Sequence, residues 1–431
     1  MEETIKKQHE AQVKRIASNG YTTKMTAYPD EQLIIDPNIR LMDEIHEMSV
    51  SGRTIIEAMG INNMKPSWED ILILAGQLDT MPLSNDNDVN IKTVIGKNSD
   101  KPLVIEGPVY VSHMSFGALS REAKEALAKG SSRVKTAVGS GEGGILPEEI
   151  DNSYKYIFEY VPHEYNVTDE NLRRADAIEI KIGQGTKPGI GGFFPGEIIT
   201  DEIGAVRNIK ADQRVTEPVR FSDINNKYDL KAKVDSLRSR SRGRPIGIKI
   251  APGRIEKDLE VCVYAGADFV TIDGRGGATA ASPKVLRDAV SLPTIYALHR
   301  GRKYLDSVRS DISLIITGGL RVSSDFAKAI AMGADAVAIG TAPLMAIGCQ
   351  QHRLCSTGNC PTGIATQNPD LRERLDVEKS AQRLENFLNV SFNELRMFAR
   401  ICGKHDVHKL NIDDLCTVDS EISNNTNIRH A

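Results

Sequence analysis

The stretch "CQQHRLCSTGNC" places Cys349, Cys355 and Cys360 within twelve residues, spaced C-x5-C-x4-C, and holds half of the chain's six cysteines. Three thiolates without a fourth suit an iron–sulfur cluster that lacks one iron corner, because such clusters are held by cysteine thiolates. A Cys3His zinc site completed by His352 and a set of three buried thiols are the competing readings. Zinc ligands usually come as C-x2-4-C hooks, and the first gap here is longer.

A second group of chemistry-bearing residues stands in "EIKIGQGTKPGIGG", where Lys181, Gln184 and Lys187 recur every third residue. Two cations and an amide at a strand terminus suit an anionic substrate such as a dicarboxylate; a solvated surface turn is the plain alternative. A third group is glycine-rich. "ITGGL" carries Gly318 and Gly319, and "IGTAP" carries Gly340 and Thr341, each opening a helical pattern. Backbone N–H groups there suit a phosphate, either of a cofactor such as FMN or of a substrate. No Walker lysine and no G-x-G-x-x-G is present, which argues against ATP and a Rossmann-bound dinucleotide.

These residues need elements to position them. From about residue 100 a short apolar run, a Gly-rich turn and an amphipathic helical pattern alternate. The runs are "VYVSHM", "TAVGSG", "AIEIKIGQG", "PIGIKIAP", "DFVTIDG", "PTIYALH", "SLIITGG" and "DAVAIGTA"; "SREAKEALAKG", "EKDLEVCVYAGA" and "VSSDFAKAIAMGA" read as helices. Eight runs over about 240 residues match an α/β (β/α)8 TIM barrel, with a doubly wound open sheet as the runner-up. In a barrel, the loops at the strand C-termini carry the chemistry, and the seventh and eighth commonly take phosphate.

The remaining organisation follows by difference. Residues 1–98 read as an N-terminal helical extension that contains Trp68 and ends in the polar linker "SNDNDVNIKTVIGKNSDKP"; 99–345 form the barrel; 346–431 form the cysteine loop and a C-terminal helical region. Cys262 reads as a packing residue on a helical pattern, and Cys402 and Cys416 as packing residues in the C-terminal helical region. A net charge of −4 and a pI near 6.2 argue against a nucleic-acid partner. The sequence has no long apolar span and a polar start, "MEETIKKQHE", so it reads as cytoplasmic, with no membrane partner. In that compartment, clustered cysteines point to metal or catalysis before disulfides.

"SHMSFGALS", "SGEGG", "KIGQGTKPGIGG", "ITGGL" and "CQQHRLCSTGNCPTGIATQ" together resemble the FMN-binding synthase domain of glutamate synthase, in order, from about residue 100 to about 415. The compact length is similar to archaeal-type members and to the methylamine–glutamate N-methyltransferase (N-methylglutamate synthase) large subunit. The resemblance implies FMN, a [3Fe-4S] cluster on Cys349, Cys355 and Cys360, and reductive amination of 2-oxoglutarate or a related keto acid. It implies cofactor contacts at Ser112, Met114, Ser115, Ser140, Gln184, Lys249, Asp273, Gly318, Gly319, Gly340 and Thr341. Substrate contacts fall at Gln184, Lys187 and Arg207, with Arg207 the carboxylate-binding arginine. Catalytic roles fall at Glu142, Lys181 and Lys187, with Glu142 near the incoming nitrogen. Lys249 would stand by the N1–C2=O edge of the flavin.

Two departures bear on specificity. Phe193 stands where large glutamate synthases carry a polar, substrate-holding residue, and "RGGATAASP" is less glycine-rich than the family's style. The start Met1-Glu2 offers no N-terminal cysteine nucleophile; neither an amidotransferase domain, an NAD(P)H module nor a second cysteine-rich insert is evident. The resemblance therefore implies an external ammonia or amine source, such as a separate amidotransferase-like subunit. It also implies an electron donor, either ferredoxin or a reductase subunit, and makes the chain a candidate homo-oligomer. Two further functions compete: an N-methylglutamate synthase large subunit, and a flavin–iron–sulfur electron-transfer subunit.

Overall fold

A computed structural model describes residues 39–56, 65–84, 89–190, 193–194, 199–210, 215–216, 218–277, 279 and 282–431. Met1–Ile55 and Ile56–Ala431 are two compact units. In the first, the described element is the helix Ile39–Ser51.

In the second unit, eight parallel strands close into a barrel. They are β1 (Val109–Val111), β2 (Ala137–Gly139), β3 (Lys155–Tyr160), β4 (Ala177–Lys181), β5 (Ile246–Ile250), β6 (Phe269–Asp273), β7 (Ser313–Thr317) and β8 (Ala336–Ile339). Closure is made by β8 against β1, with Val337 opposite Val109. The fold is a (β/α)8 TIM barrel.

Strand periodicity sorts the side chains. Ile178 and Ile180 of β4, Val270 and Ile272 of β6, and Leu314 and Ile316 of β7 belong to the large apolar core between strands and helices. The alternate positions point inward. Tyr110, Ala137, Ile157, Ala177, Phe269, Ile315, Ala336 and Ala338 fill the lower lumen as a separate apolar cluster. Gly247 is required in that layer, since a Cβ there would stand 2.1 Å from the Phe269 ring. Farther along the same strands the inward residues turn polar: Glu159, Glu179, Lys181, Lys249, Thr271 and Asp273. Barrel architecture thus gathers charge at the C-terminal mouth.

Seven of the eight expected strand runs are strands. The exception is "PTIYALH", which begins the helix Thr294–Ser307 and buries Ile295, Leu298 and Leu305 on one face. Its β-branched and aromatic composition mimics a strand, whereas the apolar spacing over the following turns is helical. The strand that takes its place is β3, "KYIFEY". Its neighbours each lead into a Gly-rich turn; β3 leads into "VPHEYN", without that punctuation. "EIKIGQG" therefore follows the fourth strand, while "ITGGL" and "IGTAP" keep the seventh and eighth places.

The polar stretch expected as a linker contains the strand Thr93–Ile95, paired antiparallel with Leu103–Ile105. Ile95, Leu103 and Ile105 join the lower-lumen cluster, so this hairpin plugs the barrel floor. Cys262 is buried on the helix Ile255–Ala265 and Cys402 caps the helix Val377–Ile401, whereas Cys416 lies on the strand Leu415–Thr417 and not on a helix. No helix among the described residues is long and apolar enough to cross a membrane.

Candidate active site

At the C-terminal mouth lies a cavity of about 240 Å³. The β1 loop brings Ser112, Met114 and Ser115 to it, the β2 loop Glu142, the β4 loop Gln184 and Lys187, and β5 contributes Lys249. Lys181 and Asp273 enter from the ends of β4 and β6; Gly318, Gly319, Gly340 and Thr341 come from the β7 and β8 loops. Cys349, Cys355 and Cys360 line the same cavity. Sixteen of the eighteen residues picked out from sequence meet there.

The two exceptions stand behind the wall. Ser140 is fully buried; its hydroxyl accepts from the Glu159 N–H at 2.9 Å and stitches β2 to β3. Arg207 ends the helix Asp201–Arg207, is 1% exposed, and donates from Nη2 to the Phe116 carbonyl at 2.9 Å. Phe193 lies on the short strand Phe193–Phe194, paired with Val215–Thr216; its side chain is outside the described residues, as is part of "RGGATAASP".

Electrostatics organise the cavity. Glu142 forms an ion pair with Lys181. Burial pushes the Glu142 carboxyl up, but the Lys181 and Lys187 charges outweigh it and hold the carboxyl below its usual range. Burial lowers the Lys181 ammonium, and the Glu142 and Glu159 carboxylates more than restore it. Asp273 is raised, burial exceeding the pull of Lys249. Beside Glu142, His163 is pushed down to about 4, first by burial.

Around Lys249 stand three residues that sequence reasoning missed, Glu159, His113 and Glu179. Lys249 Nζ lies 3.2 Å from Glu159 Oε1. His113 Nδ1 accepts from the Gly141 N–H at 3.2 Å, which puts its ring proton on Nε2, 3.0 Å from Glu179 Oε2. The Thr271 hydroxyl donates to the other Glu179 oxygen. A signal existed: Glu159 and Glu179 are acids inside otherwise apolar strand runs. Arg321, adjacent to Gly318–Gly319 in the cavity wall, was missed as well.

Two parts of the cavity fit prosthetic groups. At Gly340 a Cβ would meet nothing within 4 Å, and Gly318 and Gly319 turn with φ of +108° and +91°. The Gly340 backbone therefore faces open space, with Arg321 in the same cavity wall, which suits a phosphate, while Gly318 and Gly319 pack against the backbone of Gly274 and Gly276. At the other part stand the three thiols. Among the described residues, the one group of three acid, His or Cys ligand atoms lying within 4.8 Å of one another is His113, Glu159 and Glu179. At least one pair of the three cysteine sulfurs therefore stands farther apart than around a single tetrahedral zinc, where Zn–S bonds of ~2.3 Å put sulfurs roughly 3.8 Å apart. A multi-iron cluster needs that wider spacing.

The family profile for the conserved region in glutamate synthase matches residues 45–405. The chain belongs to the glutamate synthase family. A glutamate synthase large subunit-like protein of Rhizobium meliloti is 36% identical over 399 residues, covering 88% of this chain and 90% of its own length. The archaeal glutamate synthase [NADPH] of Methanocaldococcus jannaschii is 40% identical over 324 residues, covering 74% of this chain and 63% of its own length. Among solved structures, the lactate oxidase of Pediococcus acidilactici superposes with a TM-score of 0.53 at 15% identity, over 82% of this chain and 84% of its own. The flavin-binding domain of baker's yeast flavocytochrome b2 gives 0.52 at 17% identity, over 88% and 87%. At such identities these two share the barrel fold with this glutamate synthase family member.

Proposed function

We propose that the chain is a glutamate synthase-type oxidoreductase that binds FMN and a [3Fe-4S] cluster and reductively aminates 2-oxoglutarate or a related keto acid. The observation that carries this reading is one cavity holding a glycine-lined phosphate end, a Glu142–Lys181 pair with Lys187 beside it, and three cysteines. Family membership supports the same reading. Gly318, Gly319, Gly340, Thr341 and Arg321 would hold the FMN phosphate; Lys249 would face the flavin ring; Cys349, Cys355 and Cys360 would hold the cluster. When bound, the flavin would supply a hydride equivalent and the cluster would supply electrons one at a time.

The protein's own groups carry the rest. Lys187 and Gln184 bind the keto acid's carboxylate, a charge-assisted contact contributing about 1.5–3 kcal/mol. Glu142, kept ionised by Lys181 and Lys187, takes a proton at its carboxylate from the incoming ammonium and leaves a nucleophilic amine. Lys181, kept protonated by Glu142 and Glu159, donates from Nζ to the oxygen that departs as water. The sum is keto acid, ammonium, a hydride equivalent and a proton yielding amino acid and water. Amine and electrons come from outside the chain or from partner subunits, in the cytoplasm.

Anaerobic purification followed by visible spectroscopy and mixing tests the reading. Flavin bands over a broad iron–sulfur absorbance are expected, and the reduced flavin should reoxidise on adding 2-oxoglutarate with ammonia. Protein that carries FMN yet is reoxidised by no keto acid and amine would leave only an electron-transfer role.

A further inference from the structure

The three cysteines differ in their surroundings. Cys360 is buried, at 7% exposure, whereas Cys349 and Cys355 are half-buried. The Cys360 sulfur lies 3.3 Å from the Thr362 hydroxyl. Three features hold this turn in place. The Gly363 N–H donates to the Cys360 carbonyl at 3.2 Å. The Ser120 hydroxyl donates to the Gly363 carbonyl at 2.7 Å, and the Ser120 N–H donates to the Ile364 carbonyl at 2.8 Å. Gln367 Nε2 donates to the Gly117 and Leu119 carbonyls at 3.2 and 3.0 Å, tying the segment to the β1 loop.

A metal-bound thiolate has no proton to donate, so the Thr362 hydroxyl must be the donor once the sulfur ligates iron. Hydrogen bonds to ligand sulfur withdraw electron density and set the potential of an iron–sulfur centre. That donor depends on the residue type at 362.

We propose that Thr362 is a potential-setting residue, whose hydroxyl bond to the Cys360 sulfur raises the reduction potential of the cluster. The inference rests on the reading of Cys349, Cys355 and Cys360 as cluster ligands. Adding one electron to the cluster puts further negative charge on the cysteine sulfurs. The Thr362 hydroxyl, fixed beside Cys360, stabilises that charge. The reduced form is thereby favoured at the corner pinned to the β1 loop, through which Met114 and Ser115 reach the cavity. Thr362 is a positioning and tuning residue; it touches a ligand and not the substrate.

The test is a dye-mediated redox titration of intact protein, followed by the electron paramagnetic resonance of the oxidised cluster. Thr362→Val keeps the side-chain shape and deletes the donor, while Thr362→Ser keeps the donor. Val should shift the one-electron equilibrium toward the oxidised form about fivefold to tenfold, a tenfold change being ~59 mV. Ser should titrate with the parent. Iron content and Tm should match in all three proteins, which separates tuning from damage. A Val variant with full iron and the parental potential overturns the proposal. If Val assembles no cluster, Thr362→Ala replaces it, and a parental potential there is equally fatal. Iron-free, zinc-bearing parent protein would instead sink the cluster assignment itself, a distinct result read from metal analysis before any titration.

Discussion

Lys249 Nζ stands 3.2 Å from Glu159 Oε1 in the cavity wall, and the two side chains are 6% and 2% exposed. Burial alone would drive the lysine toward its neutral form; the Glu159, Asp273 and Glu179 carboxylates reverse that and hold its ammonium above the ordinary range. Burial likewise opposes the Glu159 charge, and Lys249 and Lys181 together hold that carboxyl well below its ordinary range. Each charge is tolerable because of the other. A cation fixed at this depth can face a reduced cofactor without water to screen it.

Breaking the pair should therefore cost more than removing both partners. Lys249→Met leaves a buried carboxylate, and loss of one partner of a buried pair costs about 3–5 kcal/mol. Lys249→Met with Glu159→Gln should recover part of that. The pH dependence has a definite sign. Glu159 is depressed, so its contribution is present above the unfolded carboxyl value of 4.5 and fades as pH falls through the lower folded value. Lys249 is raised, so its contribution is present below 10.5 and fades as pH rises through the higher folded value. Chemical denaturation of parent and Glu159→Gln should differ most between those limits and converge in strong acid. A constant difference across the whole range would deny the pair a role.

Cysteine substitutions should divide into two sets. Cys349→Ser, Cys355→Ser and Cys360→Ser line the cavity and should each lose the cluster's iron and its absorbance. Cys262→Ser, Cys402→Ser and Cys416→Ser sit in packing positions, where burial raises the Cys262 thiol to about 12 and the Cys402 thiol to about 11. These three should keep full iron and show only lowered Tm. Metal analysis of the six proteins decides it, and equal iron in both sets would refute the assignment.

How much of this was legible beforehand depends on punctuation and on charge. Strands that end in glycine announced themselves, because a tight βα turn needs residues free to take positive φ. β3 ends in "VPHEYN", and with it went Glu159, the anion on which Lys249 depends. Lys249 itself was visible as a charge within "GIKI"; applying the same criterion to "IFEY" and "AIEIK" finds Glu159 and Glu179. The polar stretch 84–102 misled because its buried residues alternate one by one, Val89, Ile91, Thr93 and Ile95, between exposed ones. Arg207 shows the opposite limit. Residue type says cation, but only tertiary structure says that it lies under the Phe116–Gly117 backbone and not in the cavity.

That placement separates two residues assigned to substrate by resemblance. Lys187→Ala should raise KM for the keto acid by about ten- to a hundredfold, the loss of one charge-assisted contact, with Tm unchanged. Arg207→Met deletes a buried donor from the Phe116 carbonyl and should lower Tm together with activity. Steady-state kinetics beside thermal melts separate the two. Identical profiles, with KM raised and Tm intact in both, would mean that Arg207 reaches substrate after a loop movement.

Gly340 gives the cleanest test of the phosphate end. It stands before the helix Thr341–Ala346 with φ −110° and ψ −63°, backbone angles that do not demand glycine. A Cβ there meets no protein atom within 4 Å, so Gly340→Ala creates no clash within the chain. Flavin-free Gly340→Ala should melt at or slightly above the parental temperature, since alanine restricts the unfolded chain, a gain of about 0.4–1 kcal/mol. Its affinity for FMN should nevertheless fall, because the added methyl occupies the space that the phosphate needs against the helix N–H groups. Gly340→Val should fall further, while the cluster absorbance stays intact in both. Fluorescence titration of the apoprotein with FMN, and separately with riboflavin, gives the decisive comparison. The loss should be confined to the phosphorylated ligand, and an equal loss for riboflavin would place the phosphate elsewhere in the barrel mouth.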